Sequence, residues 1–170
     1  LARDPGFRVI IAPHETTEEH LRGIESHLAG SGISFLRLGE FSPASPDFQV
    51  LLIDRIGLLA NLYALGGLAF VGGGFGPGVH SVLEPAAHGC AVCFGPHHVN
   101  SLEAAALLRR GGGVLIDSTA AMDRALQQFL SGGEEMRRIG GEAGALVREN
   151  LGASGRVVEA ILRHLKSIKE

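Results

Sequence analysis

The stretch that decides the fold is Leu68-Ala69-Phe70-Val71-Gly72-Gly73-Gly74-Phe75-Gly76-Pro77-Gly78. A short apolar run without polar alternation reads as a strand covered on both faces. It hands over directly to the densest glycine cluster of the chain. Residues 79–88 then carry a helical pattern opening near Val79 or His80. A strand, a glycine loop and a helix in that order suit a phosphate. Glycine permits positive φ and close approach to main-chain N–H groups, and the first N–H groups of a helix lack partners. The glycines give Gly72-x-Gly74 and Gly74-x-Gly76 rather than the dinucleotide spacing. The next strand also ends Phe94-Gly95-Pro96, without the acid that spacing requires. A tight turn in which missing Cβ atoms allow close packing remains the competing reading of the cluster.

Working outward, similar apolar runs occur at residues 7–12, 33–38, 50–53, 91–94 and 114–116. Helical patterns lie between them. Thr16 or Thr17 caps a helix running through Leu28 and ending near Gly30 and Gly32. Residues 57–65 and 101–110 give two more. After Asp117 the strands stop, and residues 120–130, 134–150 and 154–166 read as successive helices broken at Gly132-Gly133 and Gly152. Gly140, Gly141 and Gly144 leave the interior of the middle one open. Gly30, Gly89, Gly132 and Gly152 read as helix stops. The alternation predicts an α/β fold: a Rossmann-like, doubly wound parallel sheet of about six strands followed by C-terminal helices. A length of 170 residues fits a single domain, 1–170. The opening Leu1-Ala2-Arg3-Asp4-Pro5 reads as a linker, which makes the chain a piece of a longer protein.

Composition removes several function classes. The net charge of −3 lacks the basic excess of a nucleic-acid binder. With 5% aromatics, one Tyr and no Trp, base stacking on a single strand is excluded too. Apolar residues at 45% supply a core. No apolar run approaches the ~18 residues of a membrane span. Cys90-Ala91-Val92-Cys93 fits the C-x-x-C formula, yet in a strand residues three apart point to opposite faces. Both read as core residues. The eight histidines form no helical pair with an acid, so no metal site is expected.

Polar residues gather at strand ends. His80-Ser81-Val82-Leu83-Glu84-Pro85 follows the glycine loop. On one helix His80 or Ser81 would share a face with Glu84, whose carboxylate suits ribose hydroxyls. Gly95-Pro96-His97-His98-Val99-Asn100 follows the fifth strand. There Asn100 reads as the cap of the next helix, His97 as a ligand contact and His98 as exposed. Pro13-His14-Glu15 holds the same position after the first strand. Three polar loops at strand carboxyl ends converge on one crevice if the sheet is doubly wound.

These residues, taken in order, resemble the Kdo transferases, which add 3-deoxy-D-manno-octulosonic acid to lipid A precursors. Ala12-Pro13-His14-Glu15 opens the likeness, followed by Leu52-Ile53-Asp54-Arg55-Ile56-Gly57 with Leu62-Tyr63. Ala69-Phe70-Val71-Gly72-Gly73 matches closely. Gly78-Val79-His80-Ser81-Val82-Leu83-Glu84-Pro85-Ala86-Ala87 resembles the family's Gly-Gly-His-Asn-x-Leu-Glu-Pro-Ala-Ala. Gly95-Pro96-His97-His98-Val99-Asn100 resembles Gly-Pro-His-x-x-Asn, and Asn150-Leu151-Gly152-Ala153 fits the tail. Departures are Val79 for Gly, Ser81 for Asn, Leu58 for Glu, Gly74-Phe75 for Ser-Leu and Ser101 for Phe.

The resemblance implies the C-terminal, donor-binding half of a GT-B glycosyltransferase, with the N-terminal acceptor domain absent from this chain. It implies CMP-Kdo as donor and a lipid A precursor as acceptor, with no cofactor and no metal. Glu84 would bind ribose hydroxyls, and the backbone of Gly78, Val79, His80 and Ser81 would approach the phosphate. His14, Arg37, His97 and Asn100 would line the donor pocket. The catalytic base and any contact with the cytoplasmic face of the bacterial inner membrane would belong to the missing part. Other readings are a GT-B enzyme or epimerase using a UDP-sugar, and a non-catalytic nucleotide-binding module.

Overall fold

The structure is a computed structural model that describes residues 7–131 and 133–167. The linker reading of Leu1-Ala2-Arg3-Asp4-Pro5 and the break at Gly132 lie outside these residues. The chain divides into two compact units, Leu1–Leu62 and Tyr63–Glu170.

In the first unit, β1 (Val9–Ile11), β2 (Phe35–Arg37) and β3 (Val50–Leu52) form a parallel sheet in the order β1-β3-β2. The central strand buries Val50 and Leu52. Helix α1 (Glu18–Gly30) is capped by Thr17, whose hydroxyl accepts from the N–H of His20. Its apolar spacing buries Leu21 and Leu28. A 3-10 turn, Leu38–Glu40, follows β2. The helix expected over residues 57–65 is shorter: one α turn, α2 (Leu59–Leu62), then a 3-10 turn at Tyr63–Leu65.

In the second unit, β4 (Leu68–Val71), β5 (Ala91–Phe94) and β6 (Gly113–Leu115) form a parallel sheet in that order. All four residues of β5 are fully buried. The pleat sends Val92 and Phe94 to one cluster, with Val71, Val79, Val82, Ala86, Ala104, Leu107 and Ala143. Ala91 and Cys93 go to other clusters, built with Met136 and Ile139 and with Ile116, Ala121 and Ala125. This is the covered-on-both-faces strand that unbroken apolar runs foretell. The six strands are thus parallel as expected, in two three-stranded sheets.

The helices of this unit are α3 (Leu83–Ala87), α4 (Leu102–Arg110), α5 (Thr119–Leu130), α6 (Glu134–Asn150) and α7 (Ala153–Ser167). Two expectations are corrected here. The helix over residues 79–88 begins only at Leu83; the segment before it is instead tied to the two loops, the N–H groups of Val79 and His80 donating to the carbonyls of His97 and Gly72. Pro85 therefore stands in the first turn, where its missing N–H costs no helical bond. Second, α6 runs unbroken through its three glycines. Gly140 and Gly144 are buried and let the helix lie close to its neighbours. Cys90 and Cys93 are free and buried, and burial pushes the Cys93 thiol up to about 12.

Candidate functional site

The carboxyl ends of β4 and β5 meet through their loops. The glycine loop closes on itself, with the N–H groups of Gly76 and Gly78 donating to the carbonyl of Gly73 at 2.8 and 3.3 Å. The loop after β5 docks on it through one residue. The His97 N–H donates to the carbonyl of Gly74 at 2.8 Å, and the Val79 N–H donates to the carbonyl of His97 at 3.1 Å. His97 Nδ1 stands 2.8 Å from the carbonyl of Gly76. A carbonyl only accepts, so Nδ1 carries the proton and, in the neutral ring, Nε2 keeps its lone pair for a ligand.

Backbone crosses backbone beside this contact. A Cβ on Gly95 would stand 2.5 Å from the carbonyl carbon of Gly74, and a Cβ on Gly74 would stand 2.6 Å from the nitrogen of Gly95. The glycines are thus tight-turn residues and loop formers together. A Gly95→Ala variant is expected to lose about 2 kcal/mol of stability, in the middle of the range for overpacking, since loops shift more readily than packed elements. Urea denaturation measures it.

Asn100 does not cap α4. Ser101 does, its hydroxyl accepting from the N–H of Ala104 at 3.1 Å. Two cap-forming residues stand in succession, and the chain uses the second. Asn100 is thereby free to lie over Gly78, where a Cβ would come within 2.3 Å of its Nδ2. Gly78, His97 and Asn100 are therefore brought together. His98, expected to be exposed, is half-buried with its ring edge-on to Phe94 at 5.5 Å and its Nδ1 lacking a partner. The apolar wall under the loop draws the imidazole in.

Val79 is buried, so its side chain belongs to the core. His80, Ser81 and Glu84 are exposed. Because residues 80–82 are not helical, His80 and Ser81 do not share a helix face with Glu84. The Ser81 N–H takes no part in the loop's backbone bonding. Glu84 sits in the first turn of α3, a helix lying by the 3-10 turn that Tyr63 opens, a proximity the sequence alone did not indicate. Burial pushes the Tyr63 phenol up, and the Glu84 charge pushes it the same way.

His14 and Arg37 belong to the first unit. His14 is exposed just beyond β1. Arg37 ends β2 and is gripped by two acids of α1, donating to Glu25 Oε2 and Glu18 Oε2, each at 2.8 Å. Glu25, then Glu18, hold the guanidinium still further above its ordinary pKa. In the Asp-x-x-Gly segment, Asp54 Oδ2 accepts the Gly39 N–H at 3.0 Å. Burial pushes this carboxyl up, but the hydrogen bonds from Arg55 and Gly39 outweigh it and hold it below the usual range. Gly57 takes the positive φ of 90° that the following turn needs.

No model of a known protein family matches the chain. Among curated proteins, the 3-deoxy-D-manno-octulosonic acid transferase of Haemophilus influenzae is 30% identical over 169 residues, covering 98% of this chain and 39% of that protein. The enzyme of the same name from Chlamydia muridarum is 34% identical over 143 residues, 82% of this chain and 32% of that protein. The chain thus spans 32 to 39% of the length of these relatives. Among solved structures, the C-terminal CMP-Kdo binding domain of WaaA from Acinetobacter baumannii superimposes with a TM-score of 0.74 at 20% identity, covering 85% of this chain and 75% of that one. Sucrose-phosphate synthase from Thermosynechococcus elongatus gives 0.58 at 16% identity, covering 97% of this chain and 47% of that one. At these identities the structural likeness is one of fold. The sequence likeness, which runs over nearly the whole chain, makes it a relative of the 3-deoxy-D-manno-octulosonic acid transferases.

Proposed function

We propose that this chain is the donor-binding part of a glycosyltransferase that moves Kdo from CMP-Kdo to a lipid A precursor in lipopolysaccharide biosynthesis. The observation that carries the reading is the likeness to Kdo transferases over 98% of the chain. A fold shared with a CMP-Kdo binding domain supports it. So does the position of the joined loops, at the strand carboxyl ends where open α/β sheets bind ligands.

In this reading Glu84 accepts the ribose hydroxyls. The backbone from Gly78 to Ser81 faces the phosphate, with the unengaged Ser81 N–H as the donor that meets charge developing on departing CMP. His97, through Nε2, and Asn100 line the pocket from the loop after β5. His14 and Arg37 are assigned to donor binding by the family resemblance alone. The acceptor hydroxyl needs a base, which comes from the part of the enzyme outside this chain. Among the described residues no helix is long and apolar enough to cross a membrane. Contact with the cytoplasmic face of the inner membrane is assigned to the same outside part.

Calorimetry of the chain with CMP, UMP, ADP and NAD tests the reading. CMP is expected to bind tightest, and Glu84→Ala is expected to weaken it about tenfold or more, the loss of hydrogen bonds to a charged group. Tighter NAD or UMP binding, or unchanged CMP affinity in Glu84→Ala, would overturn it. No Kdo transfer is expected from the chain alone.

A further inference from the structure

Arg37 closes β2 at the carboxyl end of its sheet, the end at which open α/β sheets take ligands. Two acids of α1 hold its guanidinium in different ways. Glu25 takes the inner edge, one oxygen accepting from Nε and the other from Nη2, the latter at 2.8 Å. The side chains of Arg37 and Glu25 are 16% and 22% exposed, so this pair is a fixed part of the unit. Glu18 takes the outer edge, accepting from Nη1 at 2.8 Å and from Nη2 at 3.1 Å. Its side chain is 53% exposed, and it has a second cation. Glu18 Oε1 also accepts from Arg22 Nε at 3.0 Å, one turn further along the helix. Arg37, ahead of Arg22, holds the Glu18 carboxyl below the usual carboxylate range. The outer edge of the guanidinium thus carries a carboxylate in the two-point geometry that its planar fork offers.

We propose that Glu18 is a resident stand-in for a ligand carboxylate: the outer edge of Arg37 is the site for the acid group of the donor sugar, and Glu18 leaves it when that group arrives. Glu25 is then the positioning residue, keeping the fork aimed while its outer partner changes. The exchange conserves ion pairing. Arg37 trades one carboxylate for another and Glu18 keeps Arg22, so no charge is left unpaired. The geometry also selects the ligand class. An edge matched by two carboxylate oxygens suits a planar acid, and a sugar without an acid group brings nothing to exchange for Glu18. This role rests on the donor reading, in which the sugar is 3-deoxy-D-manno-octulosonic acid.

Calorimetry on the wild-type chain, Glu18→Gln and Arg37→Gln reads the exchange, with CMP, CMP-Kdo and free Kdo as ligands. Glu18→Gln removes the competing charge. It is expected to tighten CMP-Kdo about two- to fivefold, the contribution of an exposed ion pair, and to leave CMP, which has no carboxylate, unchanged. Arg37→Gln is expected to abolish any advantage of CMP-Kdo over CMP. The sign is decisive, because a merely structural ion pair would, once cut, loosen Arg37 and weaken the ligand. Unchanged or weaker CMP-Kdo binding in Glu18→Gln, in a chain that binds CMP, overturns the exchange and leaves the donor site standing. So does an advantage of CMP-Kdo that survives Arg37→Gln. Binding of free Kdo that tightens in Glu18→Gln, without any binding of CMP, keeps the exchange and overturns the nucleotide reading. A chain that takes none of the three ligands overturns both.

Discussion

A Phe94→Ala variant is expected to lose about 3–5 kcal/mol of stability, the usual cost of emptying a buried aromatic site. That is a large part of the 5–15 kcal/mol that holds a typical domain folded. Phe94 is fully buried at the end of the central strand. It packs in one cluster with Val71, Val79, Val82, Leu107 and Ala143. A Cβ on Gly113 would come within 3.1 Å of its ring, so β6 already lies against it and has no side chain with which to fill a void. The loss should extend to the loop, because His98 rests edge-on against this ring and His97 fastens the glycine loop one residue earlier. Urea unfolding reads the first effect. Loss of CMP affinity under conditions where the variant remains folded reads the second. A loss below about 1 kcal/mol would mean that the site collapses and the ring is no keystone.

Two adjacent glycines of α6 are expected to respond in opposite directions. Gly140→Ala should destabilise by about 3 kcal/mol, the upper range for overpacking. Its Cβ would stand 2.0 Å from the carbonyl oxygen of Gly89 and 3.2 Å from the nitrogen of Ala91, both backbone. The helix cannot retreat cheaply, because a Cβ on Gly112 would likewise come within 2.7 Å of the Ala143 nitrogen, so α6 touches main chain at two places. Gly141→Ala meets nothing within 4 Å. It should stabilise the protein by about 0.5–1 kcal/mol, since alanine loses less backbone entropy on entering a helix. Melting curves of the two variants, side by side, are the check. A shift of the same sign in both would contradict this account of α6.

Strands were legible in the sequence because both-face burial leaves an unbroken apolar run, and β4 and β5 fall where those runs stand. The cap of α1 was legible to one of two residues, Thr16 or Thr17, because capping is local chemistry, and the fold uses Thr17. The start of α3 was not. Helical spacing begins at Val79, but the N–H groups there are bound to carbonyls of Gly72 and of His97, the latter in a loop about twenty residues away. Nor was the choice of Ser101 over Asn100 as cap, which turns on where Asn100 is wanted. Nothing local distinguishes Gly140 from Gly141.

The parallel α/β architecture, the polar loops at strand ends and the kinship that their order reveals could all be read from the residues alone. All of these rest on local pattern, on periodicity and on residue type. Folding set which glycines are close approaches, which of two residues caps α4 and where α3 begins. Each depends on atoms brought near by folding: backbones in close approach at the glycines, and hydrogen bonds made by groups that the local pattern does not select at the cap and at the start of α3.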